Sequence, residues 1–168
     1  MPPAIQLVEP EQSELLANLE ARAKSANPFF RAMAHRPDVL KNFVPFYSAV
    51  VGPGSVERRI KSLVYLTCSF ANKCAFCIQA NLPGAKKAGV TEEEIEAVKM
   101  ERDDAFSEPE RAAIHYAREL TKTADAEKSR ALLVQHFSDQ QVVEITLVVC
   151  MSNFNNRLNN GLRILPEG

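Results

Sequence analysis

The sequence has no excess of charge of either sign, with 20 Lys and Arg residues against 21 Asp and Glu residues. No run of one sign occurs, so we predict neither a track for nucleic acid nor a patch for an anionic membrane surface. No apolar run approaches the roughly 20 residues that span a bilayer, and residues 1–6 lack the pattern of a secretory signal. We therefore expect a cytoplasmic protein whose partners are small molecules and other proteins.

Signals for β-structure are also missing, because no stretch of four to eight residues alternates cleanly between apolar and polar types with β-branched enrichment. Repeats, low-complexity tracts and Gly/Ser linkers are absent too. Helix-forming residues dominate. We predict an all-α protein without a sheet, folded as a single domain over residues 1–168, and expect Pro83-Gly84 to break or kink one helix. Good N-terminal caps for helices are Ser55, Asn72, Thr91, Ser107 and Ser138.

Two segments, residues 60–71 and 142–151, are apolar on most sides of a helix. A small domain has difficulty covering such helices on every face, so they predict a homo-oligomer. Glu144 is the charged residue within the second segment, and the pattern leaves open whether it is a partnered carboxylate or a functional one.

Four cysteines are present, and Cys74 and Cys77 have the CxxC spacing. Three residues apart on a helix, their side chains are neighbours, and modest adjustment permits a disulfide. A start of this helix at Asn72 would put Cys74 in its first turn, where the helix dipole and Lys73 stabilise a thiolate. A thiolate that attacks an oxidant becomes a sulfenic acid, which condenses with the second thiol. We therefore predict a reversible redox pair.

Two other interpretations of the CxxC remain open. Cysteines three apart can be small buried core residues, and a zinc site would need two further ligands that show no second pair in finger-like spacing. We predict no metal and no cofactor. Cys68 and Cys150 follow apolar segments and are interpreted as structural thiols, and the three histidines as surface or capping residues: His35, His115 and His136.

From about residue 27 to residue 165 the order of motifs resembles the peroxidase-related, alkylhydroperoxidase D-like branch of the carboxymuconolactone decarboxylase family. Single motifs other than the CxxC say little, but their order together is specific for the fold. The motifs are His35-Arg36-Pro37, Phe43-Val44-Pro45-Phe46-Tyr47, Arg59-Ile60-Lys61-Ser62-Leu63-Val64-Tyr65-Leu66, Cys74-Ala75-Phe76-Cys77, Ala88-Gly89-Val90-Thr91 and Asn153-Phe154-Asn155-Asn156-Arg157-Leu158.

The resemblance implies a helical domain that assembles into trimers or hexamers. It also implies reduction of a hydroperoxide or disulfide substrate by the CxxC, with electrons from a lipoylated protein or another dithiol. The family's glutamate twelve residues before the first cysteine and histidine four after the second relay protons, but here those places hold Ser62 and Asn81. Neither side chain titrates near neutrality, so we expect slow peroxide turnover. Glu57 and Glu144 are candidates for an auxiliary proton route.

The order of attack by the two cysteines is left open by the sequence. Electrostatics at the helix start favour Cys74, whereas the relay position one turn beyond the second cysteine favours Cys77, towards which we lean for the peroxide step. Two other functions compete with the redox protein: a lactone decarboxylase-like enzyme, which does not need a CxxC, and a non-enzymatic ligand-binding oligomer on the same fold.

Overall fold

The computed structural model describes residues 2–166, and every regular element within them is helical. The first residue and the last two of the predicted domain lie outside this range. No helix in the described part is long and apolar enough to cross a membrane. A short 3-10 helix over Pro10–Gln12 precedes nine α-helices: α1 (Glu14–Ala23), α2 (Pro28–Met33), α3 (Pro37–Val51), α4 (Arg58–Ala71), α5 (Ala75–Lys87), α6 (Glu92–Lys99), α7 (Glu108–Thr123), α8 (Glu127–His136) and α9 (Asp139–Leu162).

Helix α4 is the centre of the fold, because α5, α6, α7 and α9 all pack against it. Leu63, Val64 and Leu66 are fully buried, and they divide between a larger core with α3, α7 and α9 and a smaller one with α5 and α6. The apolar surface of residues 60–71 is therefore covered by the chain's own helices. This segment therefore needs no partner subunit to cover it, contrary to the prediction, whereas α9 does leave apolar side chains exposed.

Three of the five predicted caps are confirmed. Thr91, Ser107 and Ser138 begin α6, α7 and α9, each in a capping box with the residue three positions later. Ser55 is not a cap, because α4 begins at Arg58 and the Ser55 hydroxyl donates to Glu144 Oε2 at 2.6 Å instead.

Of the break or kink expected at Pro83, the break does not occur, because α5 continues to Lys87 with the proline exposed on its surface. Helix α8 was not among the predicted elements. Its N-terminal amide groups are satisfied by a carboxylate from α7, with Ser129 N donating to Glu119 Oε2 at 2.8 Å, so no local capping residue marks its start.

Arg59 connects α4 to α6 and α7. Its guanidinium group donates to Glu110 Oε1 at 2.6 Å and to both carboxylate oxygens of Glu94. These two glutamates also complete the capping boxes of α6 and α7. The two carboxylates together raise the pKa of Arg59, with hydrogen bonding to Glu94 as the largest cause. One cation therefore fixes the starts of two helices against the central one.

On the opposite side, Lys61 and Glu144 form an ion pair between α4 and α9. Lys61 is buried, and its ammonium group also donates to Gly52 O at 2.6 Å. Burial alone would raise the pKa of Glu144, but hydrogen bonds from Lys61 and Ser55 outweigh it and lower the pKa to about 2. Glu144 is thus the partnered carboxylate of the two possibilities that its sequence context allowed.

This ion pair predicts an acid-sensitive fold. The pKa of Glu144 falls from an ordinary 4.5 to about 2 on folding, so its contribution is complete above pH 4.5 and is lost as the pH falls towards 2. That contribution amounts to roughly 1–3 kcal/mol once screening by solvent is allowed for. Urea unfolding at a series of pH values should show Glu144→Gln less stable at neutral pH and less dependent on acid. The exposed control Glu93→Gln should follow the natural protein; equal acid profiles for all three would contradict the assignment.

Candidate functional site

The CxxC lies at the junction of α4 and α5. Helix α4 ends in a Schellman motif, in which Lys73 N donates to Phe70 O and Cys74 N donates to Ser69 O, both at 3.0 Å. Lys73 occupies the left-handed position that this motif requires, with φ 53°. The chain therefore turns sharply between the two helices and needs only three residues to do so.

Cys74 is the last residue of the Schellman motif of α4 and also the N-cap of α5. Its Sγ atom accepts a hydrogen bond from Cys77 N at 3.3 Å. The prediction that Asn72 caps this helix was wrong, because Asn72 is the last residue of the α4 cap. Cys74 consequently lies one position before the first turn, and Cys77 lies within it.

The two cysteines are joined as a disulfide, with their Cα atoms 5.3 Å apart. Both are buried, at 0% exposure for Cys74 and 3% for Cys77. They lie at the N-terminus of α5, where the helix dipole and the backbone amide of Cys77 favour a thiolate after reduction. The geometry is therefore that of a pair able to alternate between dithiol and disulfide.

The other two cysteines are free and differ from each other. Cys68 is fully buried, and burial raises the pKa of its thiol to about 11 even though Thr121 Oγ1 donates to its sulfur at 3.3 Å. Cys150 is exposed on α9, not packed inside as its apolar neighbours suggested. Neither forms a disulfide with the CxxC.

Asparagines of α9 hydrogen-bond to the junction of α4 and α5. The Asn72 side chain donates to Oδ1 of both Asn153 and Asn156 at 2.9 Å, and Asn156 Nδ2 donates to Ser69 Oγ at 3.2 Å. Asn160 Nδ2 donates to Asn72 O at 2.8 Å. A partly buried polar network of this kind favours one relative position of the two helices, because a broken contact in its buried part would leave a polar group unpaired.

Cys77 lines a cavity of about 110 Å³, and Cys74 does not. Asn159 Nδ2 donates to Cys77 Sγ at 3.4 Å, and Asn155 Nδ2 donates to the Tyr65 hydroxyl oxygen at 2.6 Å. Burial is the largest cause of the raised pKa values of the hydroxyl groups of Tyr65 and Tyr47. The remaining walls are mostly aromatic: Phe29, Phe30, Phe43 and Phe76.

Of the two residues at the relay places, only Asn81 lines the cavity at Cys77. Asn81 lines the cavity at Cys77 and also an adjoining cavity of about 90 Å³, which Ser62 lines with Lys61 and Tyr65. Asn81 Nδ2 donates to the backbone oxygen of Cys77 at 2.7 Å, so its amide is directed at the peptide and not at the sulfur. Ser62 does not line the cavity at Cys77, whereas Asn81, Tyr65 and Tyr47 line both cavities.

The auxiliary carboxylates do not join this site. Glu57 is exposed at the start of α4, and Glu144 is held by Lys61 and Ser55. The histidines also lie outside the residues that line the two cavities. His115 Nε2 lies 2.8 Å from Asp103 Oδ2, His35 Nε2 lies 2.7 Å from Gln6 O, and His136 ends α8.

Sequence reasoning overlooked Asn155 and Asn159 as site residues. The signal was present in the spacing of polar side chains along the last helix, because Ser152, Asn155, Asn156 and Asn159 recur at helical intervals and all are buried. Such a stripe normally holds apolar residues. Buried amides in its place indicate a polar surface facing the CxxC helix.

Three solved structures share this fold. A protein of Agrobacterium tumefaciens, ATU0492, described as a putative antioxidant defence protein AhpD, is 27% identical, with a TM-score of 0.73 over 82% of this chain and 97% of its own. A peroxidase-related protein of Ralstonia eutropha with an AhpD core is 18% identical, with a TM-score of 0.81 over 99% of this chain and 94% of its own. The debrominase Bmp8 in its apo form is 18% identical, with a TM-score of 0.81 over 99% of this chain and 91% of its own.

These likenesses define an all-helical, AhpD-like domain, as the order of motifs implied. Residues 37–119, from the start of α3 into α7, match the carboxymuconolactone decarboxylase family. The chain belongs to this family. The matched segment includes α4, the junction and the CxxC.

Proposed function

We propose that this protein is a thiol–disulfide oxidoreductase that reduces a hydroperoxide through Cys77 and Cys74. The observation that carries the proposal is a disulfide-forming CxxC at a helix junction, with one of its sulfurs lining a cavity. Membership in a family with AhpD-like, peroxidase-related structures supports the same chemistry.

The electron balance of the reaction is simple. The Cys77 thiolate attacks the terminal oxygen of ROOH, the O–O bond breaks, and the alkoxide takes a proton to leave as ROH. The sulfenic acid on Cys77 then condenses with the Cys74 thiol, which forms the disulfide and releases water. A dithiol reductant restores both thiols by exchange through a mixed disulfide. Two electrons pass from the reductant to the peroxide in each cycle.

The assignment of roles rests on access. Cys77 lines the cavity, and Asn159 donates to its sulfur, which favours negative charge there. Cys74 is fully buried and does not line the cavity, but it lies within disulfide distance of Cys77 and can therefore condense with a sulfenic acid there. Cys77 is therefore the attacking residue and Cys74 the resolving one. A buried pair behind a small cavity also favours a reductant that carries its dithiol on a slender arm, such as a lipoylated protein.

Proton transfer is the weak point of this site as a peroxidase. Ser62 and Asn81 replace a carboxylate and an imidazole, and the neighbouring tyrosines remain protonated because burial raises their pKa values. General acid–base catalysis contributes about 10²–10⁴-fold to a rate. The natural protein should therefore exchange disulfides readily and reduce peroxides slowly.

Reductive dehalogenation is a second candidate, favoured by the aromatic walls and the absence of a charged lining residue in the described cavity. The debrominase Bmp8 shares the fold. Two thiols and an aromatic C–Br bond would give the disulfide, the C–H compound and HBr, so the same cysteines balance this reaction. Decarboxylation of a lactone would leave the CxxC without a role, and a non-enzymatic binding protein would have unreactive thiols.

A homo-oligomer, a trimer or a hexamer, is part of the proposal. Phe46 of α3 and Leu147 and Phe154 of α9 are exposed at 54%, 42% and 48%, and they line one groove with Cys150. An exposed apolar patch of this kind is typical of a protein interface. A second copy of the chain would cover the groove, with a different part of its surface in a trimer or with its own patch across a two-fold axis in a hexamer.

Restoring the relay should accelerate peroxide reduction. The double change Ser62→Glu and Asn81→His should raise the rate by up to about 10²–10⁴-fold if both groups are well oriented, because each supplies a titratable proton carrier. A smaller gain is expected if the surrounding side chains do not hold the pair. The measurement is stopped-flow consumption of an organic hydroperoxide by the natural and double-variant proteins.

The same double variant with Cys77→Ser is the control and should show no gain. A natural protein as fast as an efficient peroxidase would mean that another residue supplies the protons. No peroxide consumption by the natural protein or by the double variant would argue against the peroxidase, leaving dehalogenation to be assayed with a halogenated aromatic.

The groove residues should determine assembly. Multi-angle light scattering at micromolar concentration is expected to give a trimer or hexamer for the natural protein and a smaller mass for Leu147→Asp, because a buried unpaired carboxylate is costly. Val134→Asp on α8, at a site with 53% exposure, is the matched control and should assemble normally. A monomer mass for the natural protein would rule out this part of the proposal.

A further inference from the structure

Two buried amide oxygens beside Cys77 have no hydrogen-bond donor. They are Asn155 Oδ1 and Asn159 Oδ1, and both residues line the cavity that Cys77 lines. The exposed fractions of the two residues are 6% and 1%. A buried acceptor without a donor is unfavourable, so these oxygens call for a partner that the protein itself does not supply.

The neighbouring hydrogen bonds fix which atom of each amide is left over. Asn159 Nδ2 donates to Asn155 O at 2.8 Å and to Cys77 Sγ at 3.4 Å, which uses both of its hydrogens. Asn155 Nδ2 donates to the Tyr65 hydroxyl oxygen at 2.6 Å, and that hydroxyl group has Tyr47 as its other partner. In both residues the nitrogen is engaged and the oxygen is free to accept.

The rest of the cavity restricts what can supply the donor. Among the described residues that line it, none carries a carboxylate, ammonium, guanidinium or imidazole group. A charged ligand would lose its hydration there without gaining a counter-charge. The volume of about 110 Å³ is smaller than the roughly 150 Å³ cavity that accommodates benzene in another protein.

We infer that Asn155 and Asn159 are specificity residues that select a compact, neutral molecule carrying an O–H or N–H donor beside its reacting atom. This inference rests on the proposed function, because it names the substrate class of the same cysteine site. A small organic hydroperoxide fits it: the O–H group donates to an amide oxygen, and the peroxide bond lies next to Cys77. Fatty-acid hydroperoxides with a free carboxylate do not fit.

Binding of inert probes to the disulfide form tests the inference without any turnover. Pyrrole and furan are five-membered rings of similar shape, and only pyrrole has an N–H donor. We expect pyrrole to bind about tenfold more tightly than furan, the difference made by roughly one hydrogen bond in a buried site. Similarly, ethanol should bind, and acetate, which is of similar size but charged, should not. Amide chemical-shift changes in ¹H–¹⁵N spectra give both the affinity and the location.

The variants Asn155→Leu and Asn159→Leu should reduce the preference for pyrrole over furan, whereas Gln140→Leu, which changes an exposed amide on the same helix, should preserve it. Equal binding of pyrrole and furan to the natural protein, binding of acetate, or no binding of any probe near Cys77 would each overturn the inference, even if neither cavity variant folds. A selective cavity in a protein that consumes no peroxide would leave the inference standing and refute the peroxidase instead.

Discussion

The site depends on one constraint: Cys74 belongs to two helices at once. Its amide group closes the Schellman motif of α4, and its sulfur accepts the Cys77 amide group at the start of α5. This double use explains the short connection and places Cys77 within reach of Cys74. Four other helices pack against α4 and fix its position. The position of the CxxC is fixed with it, because Cys74 closes the end of α4.

The asparagines of α9 supply the other half of the site. They hold the junction through Asn72 and line the cavity through Asn155 and Asn159, so one helix both braces the cysteines and sets the polarity around them. Amides do this without charge. The side chains around Cys77 therefore provide hydrogen bonds but no carboxylate or imidazole for proton transfer. Thiol exchange depends less on such a group than rapid peroxide reduction does.

The sequence predicted the helical class, the CxxC and the starts of α6, α7 and α9, because these follow from local patterns. It failed where a partner lies far away along the chain. Ser55 and Glu144 are 89 residues apart yet hydrogen-bond, and α8 takes its cap from Glu119 of another helix. The spacing along α9 shows that Asn155 and Asn159 share a polar face, but it does not show that this face meets Cys77, on which their role depends.

The most direct test of the account is a redox titration of the thiols in graded dithiol buffers, with peptide mapping of each state. The account predicts one two-electron transition, whose dithiol-to-disulfide ratio changes tenfold for each step of about 30 mV. The bond should map to Cys74 and Cys77, with Cys68 and Cys150 reduced throughout. The absence of a transition, or a principal disulfide that contains Cys68 or Cys150, would contradict it.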